Sequence, residues 1–295
     1  MTSWRDGLRP DAARDLAQLD RALGHALARE DLAVALLDPR GHLFQRLEYV
    51  GDSILDAVVV AELVLIEPWD ESSLRMIAGE QQALVSDHAL GRVAARRGLP
   101  AVRTFPASRH RLADRIEASI GALWADAGIE EAERAADDLV VGPGLEGLRR
   151  RAGVPTGDDG HHYADAARAL GFEPVEPSWY AAAARTGPAR RRLAMLGDSV
   201  IEAAISTAQY VADPAATEAQ MSDERRAATS NATLAVRARD LGLERRTDDR
   251  TDNRAMADEV QALVGAVAMD GGLRAGLLVA AGVLRRPFVP GPVAI

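Results

Sequence analysis

Cysteine and lysine are both absent from the sequence, and aromatic residues make up only 4% of it. Without cysteine the chain can form no disulfide and carries no thiol chemistry. All 35 basic residues are arginines, and alanine, leucine and valine must fill most of the core. The N-terminus has no apolar run, and apolar segments such as 54–66 are too short to span a bilayer. These absences predict a cytoplasmic protein with no membrane partner.

The residues that are present indicate a helical protein with two domains. At 295 residues with 47% hydrophobic content, the chain can form two packed domains of about 140 residues each. Apolar residues recur every three or four positions, as in amphipathic helices, over residues 12–28, 46–65, 78–97 and 107–127. No alternating strand pattern accompanies them. We therefore predict an all-α fold, with domains at 1–145 and 161–295 and a linker rich in glycine and proline at 146–160.

Three segments of the sequence occur twice, in the same order. LEYVGDSI at 47–54 matches LAMLGDSV at 193–200, and LVSDHALGRVAARRGL at 84–99 matches ATSNATLAVRARDLGL at 228–243. LADRIEASIGALWADAG at 112–128 matches MADEVQALVGAVAMDGG at 256–272. The offset is 146 residues for the first pair and 144 for the other two. Ordered matches at a nearly constant offset indicate a tandem duplication.

Two pairs of carboxylates in the first copy have helical spacing. Glu48 and Asp52 stand four residues apart, and Asp114 and Glu117 stand three apart, so each pair shares one face of a helix. If the two helices face each other, four acidic groups converge and repel, which a bound cation relieves. Oxygen ligands at this density suit Mg²⁺ or Mn²⁺. Such a centre can activate a water and neutralise the charge that develops on a phosphodiester.

The motifs resemble those of the ribonuclease III family. RLEYVGDS at 46–53 is similar to the family signature, and ADRIEASIGA at 113–122 is similar to its second acidic motif. The resemblance covers about residues 20–140 and, more weakly, 162–287. It implies an all-α domain that dimerises across the signature helix and cleaves double-stranded RNA with a divalent metal. By the match, the catalytic and metal-binding positions are Glu48, Asp52, Asp114 and Glu117, with Mg²⁺ or Mn²⁺ as cofactor.

The first copy departs from the family pattern at the rim of the site. The acidic residue that commonly opens the signature is replaced by Gln45. A further acidic position, which precedes the middle helix in the family, has Glu71 as its nearest candidate here. Neither departure affects the four carboxylates at the centre.

The second copy has lost half of its acidic set. Asp198 and Asp258 match Asp52 and Asp114, but Ala194 stands in place of Glu48, and Gln261 in place of Glu117. Alanine cannot ligate a metal, and an amide oxygen is a weaker ligand than a carboxylate. The second copy is therefore expected to be a silent partner that pairs with the first, giving a monomeric pseudodimer or a larger homo-oligomer with one complete site per chain.

The net charge does not decide which substrate the protein acts on. A value of −9 is unfavourable for a duplex-RNA binder, although arginines cluster at 109–115 and 190–192, where they are typical of solvated helix ends or of phosphate contacts. Residues after Pro287 are too few for an appended double-stranded-RNA-binding domain. The main hypothesis is a metal-dependent endoribonuclease acting on structured or double-stranded RNA at a single site. The alternatives are an enzyme that uses the acidic pocket on a small molecule, and a non-catalytic protein that binds RNA or the ribosome.

Overall fold

The computed structural model describes residues 4–66, 71–99, 109–145, 160–243 and 252–293, apart from the side chains of residues 6, 71–73 and 109–111. In these residues every regular element is helical and no β-strand occurs, which confirms the all-α class. The predicted linker at 146–160 lies outside the described residues except for Gly160.

The helices of the first copy follow a short 3₁₀ turn at Trp4–Gly7. They are α1 (Pro10–Leu23), α2 (Glu30–Leu37), α3 (His42–Val64), α4 (Glu71–Val85), α5 (Asp87–Arg97), α6 (Arg109–Ala127), α7 (Ile129–Ala136) and, after a π-helical turn, α8 (Gly142–Gly144). Those of the second copy are α9 (His161–Ala169), α10 (Pro177–Ala184), α11 (Pro188–Ala212), α12 (Glu218–Ala228), α13 (Asn231–Asp240) and α14 (Asn253–Leu284).

The middle helix predicted at 78–97 is wrong as a single element, because the chain breaks at Ser86 into α4 and α5. Ser86 has an extended backbone, and its hydroxyl accepts a hydrogen bond from the Ala89 amide at 3.3 Å. A serine that caps an amide at the start of a helix in this way begins a new helix rather than continuing the old one. The break places Asp87 at the first position of α5.

The chain forms two compact units that do not follow the repeat boundaries. One contains residues 1–55, 82–146 and 291–295, and the other contains 56–81 and 147–290. The second half of α3 therefore belongs to the same unit as the second copy. The domain limits of 1–145 and 161–295 describe the repeats and stay a prediction.

Each unit uses one aspartate to fix the loop that precedes a helix. In the first unit, Asp126 accepts hydrogen bonds from the amides of Ala28 and Arg29, each at 3.0 Å, before α2. In the second unit, Asp270 accepts from the amides of Val175 and Glu176, each at 2.8 Å, before α10. The two aspartates are separated by the repeat offset of 144 residues. The duplication therefore extends to the hydrogen bonds of the loops.

In the second unit a buried arginine closes the end of α3. Arg192 is fully buried, and its Nη1 donates to the carbonyls of Val64 and Ile66 at 2.9 and 2.7 Å. Carbonyls at a helix C-terminus have no partner within the helix, so a cation there satisfies them and favours the helix dipole. The neighbouring Arg190 pairs with the buried Glu259. These two members of the arginine cluster are neither solvated helix ends nor phosphate contacts.

Within the described residues, one helix is long and apolar enough to cross a membrane. This is α14, whose backbone departs from helical geometry at Gly272. Of its most apolar window, 61% is buried inside the protein, and core helices of soluble proteins meet the same test. Its length and composition alone are weak evidence for a membrane segment.

Candidate metal centre

A reciprocal contact between two glycines sets the crossing of α3 and α6 in the first unit. A methyl group added to Gly51 would overlap the backbone carbonyl of Glu117, and one added to Gly121 would overlap that of Leu47. Only glycine permits backbones to approach this closely. Glu48 and Asp52 flank the first glycine, while Glu117 and Asp114 lie one and two turns before the second. The crossing therefore brings both carboxylate pairs to one place.

Three of the four predicted carboxylates form a compact cluster. Glu48, Asp114 and Glu117 can each place one carboxylate oxygen within 4.8 Å of the others, and all three side chains are half-buried. Asp52 is not a member of this group of three. Its charge nevertheless acts on Glu117 more strongly than the charge of any other residue. The structure thus brings the four predicted residues together, with Asp52 beside the compact three.

The ionised carboxylates of the cluster repel one another strongly. Burial, followed by the charges of Asp52, Glu48, Asp114 and Asp87, raises the pKa of Glu117 to about 9. At neutral pH Glu117 therefore keeps its proton, because one more negative charge beside the others is unfavourable. A divalent cation would reverse this balance by attracting the ionised form. The donor set, all carboxylate oxygens, is the one that Mg²⁺ and Mn²⁺ prefer, so these residues fit such an ion.

Asp87 is a contributor that the sequence analysis missed. It lies at the first position of α5, is exposed, and adds to the negative potential at Glu117. Its position in the repeated segment 84–99, directly after the capping Ser86, was the available signal. The side chain of Glu71, which was the sequence candidate for a further acidic position, lies outside the described residues. Gln45 is exposed.

The second copy has the same helix crossing but lacks the repulsion between carboxylates at the positions of Glu48 and Glu117. A methyl group at Gly197 would overlap the carbonyl of Gln261, and one at Gly265 would overlap that of Leu193. Here the Gln261 amide donates a hydrogen bond of 2.6 Å to Asp198, and Ala194 is buried. The amide thus replaces a repulsive carboxylate by an attractive partner, so this half needs no cation to balance its charges.

Comparison with known proteins agrees with the repeats and the fold. The sequence pattern of the Ribonuclease III domain matches residues 45–128 and again residues 191–272, which together make up more than half of the chain. The chain belongs to the ribonuclease III family. The two matched ranges contain both copies of the Gly-Asp-Ser segment and of the second acidic motif, so this ribonuclease III chain carries the domain in tandem.

Individual relatives share parts of the chain. Ribonuclease 3 of Ectopseudomonas mendocina is 33% identical over 147 residues, which are 45% of this chain and 62% of that protein. Ribonuclease 3 of Methylocella silvestris is 31% identical over 192 residues, which are 60% of this chain and 77% of that protein. The chain therefore spans less than two thirds of the former relative and about three quarters of the latter.

A solved structure with the same fold is Dicer from Giardia intestinalis. It superimposes with a TM-score of 0.60 over 83% of this chain and 55% of that one. Because the sequences are only 15% identical, this likeness shows the fold alone.

Proposed function

We propose that the chain is a metal-dependent endoribonuclease that hydrolyses phosphodiester bonds in structured or double-stranded RNA. The first copy would hold its single active site, formed by Glu48, Asp52, Asp114 and Glu117. The observation that supports this most is the carboxylate cluster within 4.8 Å, at the crossing of the two helices that carry the family motifs.

The residues of the cluster have separate parts in the proposed reaction. Glu48, Asp114 and Glu117 would hold Mg²⁺ or Mn²⁺, which when bound supplies an activated water and neutralises charge on the phosphate. Burial and the neighbouring charges raise the pKa of Glu117, and a bound cation would offset both by attracting the ionised carboxylate, so Glu117 would give up its proton on metal binding. Asp52 adds the strongest single charge at Glu117 and so raises the cation affinity of the whole group.

The second copy would act as the pairing partner of the first in an intramolecular pseudodimer. Residues 56–81 of the first copy belong to the compact unit of the second copy, and Arg192 closes the end of α3 there. This sharing supports a paired arrangement, and joining the halves in one chain removes the concentration dependence of pairing. We propose the same cytoplasmic setting for this chain as for a bacterial RNA-processing enzyme.

Cleavage of RNA separates this proposal from its two alternatives. Purified chain is incubated with a long hairpin RNA in Mg²⁺, in Mn²⁺ and in EDTA, beside Glu117→Gln prepared in the same way. We expect metal-dependent endonucleolytic products from the wild type and none from the variant. Binding without cleavage would favour a non-catalytic RNA-binding protein. Neither binding nor cleavage would favour a small-molecule substrate. Equal cleavage by both proteins would contradict the assignment of the active site to the first copy.

A further inference from the structure

The second copy has its own cavity at the position that corresponds to the acidic cluster of the first. The cavity has a volume of about 340 Å³, and its lining includes Asp198, Asp258 and Gln261. Leu74 of α4 also lines it, and like the other lining residues it belongs to the second unit. We call this cavity the second-copy pocket.

The pocket has gained positive charge as well as lost negative charge. At the repeat offsets, Gln45 and His110 of the first copy correspond to Arg191 and Arg254, which both line the pocket. Simple loss of catalytic residues would remove ligands, but it would not place two arginines at the same site.

The loss of acidic residues also makes the pocket less negative than the site of the first copy. Glu48, Asp87 and Glu117 of the first copy correspond to Ala194, Asn231 and Gln261, all of which line the pocket. Together with the two arginines, five exchanges each add positive charge or remove negative charge, and the lining carries no exchange in the opposite sense. The pocket has thus changed from a cation site towards an anion site.

The acids that remain are already balanced by their neighbours. Asp198 accepts the short hydrogen bond from Gln261. The pKa of Asp258 is raised overall by burial and, to a smaller extent, by the charge of Asp252, and the charges of Arg254, Arg190 and Arg191 limit this rise. With two arginines against two aspartates in the lining, no divalent cation is needed. A guanidinium can bind two oxygens of a phosphate in parallel, which suits it to this anion better than to a halide.

The start of α13 adds a second favourable element. Asn231 is the first residue of this ten-residue helix and lines the pocket, and no acidic residue occupies its first turn. Amides at a helix N-terminus attract phosphate groups. In the first copy the corresponding helix, α5, begins with Asp87, which cancels this attraction.

We infer that the second-copy pocket binds a phosphate group without a metal ion. A backbone phosphate of a bound RNA strand and a free phosphate anion offer the same chemistry to Arg191, Arg254 and the start of α13. The former source rests on the proposed function, whereas the latter does not. With a backbone phosphate as the ligand, the silent copy holds a strand that it does not cut.

The first test uses inorganic phosphate and the full chain in EDTA. Phosphate is added at constant ionic strength while the side-chain Nε–Hε signals of Arg191 and Arg254 are followed by NMR. These signals are assigned by their loss in Arg191→Gln and Arg254→His, which restore the residue types of the first copy. We expect saturable shifts of both signals, with a dissociation constant of roughly a millimolar. Unshifted signals would overturn the inference.

The second test measures binding of a short RNA duplex in EDTA across a series of KCl concentrations. The double variant Arg191→Gln, Arg254→His is expected to bind at least about fivefold more weakly, and the slope of log affinity against log salt should fall by about 1 to 2. The control is Arg285→Gln, which removes an exposed arginine paired with Asp240 at the end of α14 and should leave the slope unchanged.

The outcomes of the two tests separate the sources of the phosphate. Loss of both phosphate and duplex binding in the double variant supports a backbone phosphate. Loss of phosphate binding with an unchanged salt slope supports a free phosphate as the ligand. Unchanged phosphate binding in the double variant refutes the pocket. Both arginines are exposed, so the variants should fold. The single variant Arg254→His repeats both binding measurements with one substitution instead of two. Failure of the proposed function would show instead as absent cleavage in Mg²⁺.

Discussion

The two copies of the ribonuclease III domain share one helix crossing but differ in electrostatics. Gly51 against Glu117 in the first copy is matched by Gly197 against Gln261 in the second, carbonyl for carbonyl. At this crossing the first copy has a carboxyl with its pKa raised to about 9, and the second has an amide that donates to Asp198. The fold therefore requires the glycines in both copies, whereas the full set of carboxylates is present only in the copy that we propose to bind a cation.

This difference also separates stability from function. The carboxylates of the first copy repel one another and lower the stability of the metal-free fold, as is common where a site is built for a ligand. In the second copy the surrounding protein and the Glu202 carboxylate raise the pKa of Asp198 to about 6, although solvent still reaches its side chain. The smaller rise agrees with the weaker repulsion there.

The largest effect is expected from neutralising one carboxylate of the first copy. Glu117→Gln or Asp52→Asn keeps the side-chain volume but removes a charge at the site. We expect RNA cleavage to fall at least about 1000-fold, equal to about 4 kcal/mol of transition-state stabilisation, with the fold intact. Single-turnover cleavage rates and circular dichroism measure the two quantities. Asp258→Asn in the second copy is the matched control. A loss of cleavage of the same size in this variant would contradict the assignment of the active site to the first copy.

The glycine crossing predicts equal damage in both copies. Gly51→Ala and Gly197→Ala each force a methyl group into a backbone carbonyl that cannot move aside. We expect each to lower the free energy of unfolding by at least about 3 kcal/mol in urea denaturation. Gly79→Ala, which meets nothing within 4 Å in the middle of α4, should instead stabilise by about 0.5–1 kcal/mol. Tolerance of either crossing variant would contradict the contact.

The raised pKa of Glu117 predicts a pH-dependent stability without metal. Between its usual value of 4.5 and about 9, the folded state binds this proton more strongly than the unfolded state. Stability from this group is thus full below pH 4.5 and is lost as the pH rises towards 9. In EDTA, the free energy of unfolding of Glu117→Gln relative to the wild type should therefore increase across this pH range by at least about 1.4 kcal/mol, the equivalent of one pKa unit.

Thermal melts at pH 5, 7 and 9 measure this difference, with Glu80→Gln at an exposed position of α4 as control. Added Mg²⁺ or Mn²⁺ should restore stability to the wild type at high pH more than to Glu117→Gln. A difference in melting temperature between the two proteins that is the same at all three pH values would contradict a raised pKa at Glu117.

The smallest effect is expected from restoring the acids of the second copy. Ala194→Glu with Gln261→Glu completes a set around Asp198 and Asp258, so calorimetry should detect a second Mn²⁺-binding event. Because Arg191 and Arg254 line the same pocket, this event should be weaker than the first. Adding Arg191→Gln and Arg254→His should strengthen it. No added binding even in the fourfold variant would mean that the pocket differs by more than these residues.

Much of the fold was predictable because its signals are local. The spacing of Glu48, Asp52, Asp114 and Glu117 follows helical geometry, and the repeated segments revealed both domains. The break at Ser86 was missed because apolar periodicity continues across it, while the capping bond depends on one serine. The motifs predicted the two carboxylate pairs. Their closeness in the fold depends on the glycine crossing, which is a contact between segments distant in sequence.

The remaining features depend on tertiary partners that no local pattern encodes. Arg192 lies in a run of arginines, and its burial follows from the free carbonyls at the end of α3. In the sequence Asp87 is recognisable only as the first residue of a helix, because its effect on the pKa of Glu117 depends on the tertiary position of α5. Likewise, nothing in residues 56–81 indicates that they join the unit of the second copy.

A strand-resolved cleavage assay tests most directly whether one copy cuts and the other does not. An asymmetric RNA duplex carries a different fluorophore on each strand, and cleavage in Mg²⁺ is followed at early times with limiting enzyme. Light scattering under the same conditions establishes that the chain is monomeric. A single complete site predicts a nick in one strand per binding event, with the other strand intact. Coupled cleavage of both strands by the monomer, leaving a short 3′ overhang, would contradict a single active site.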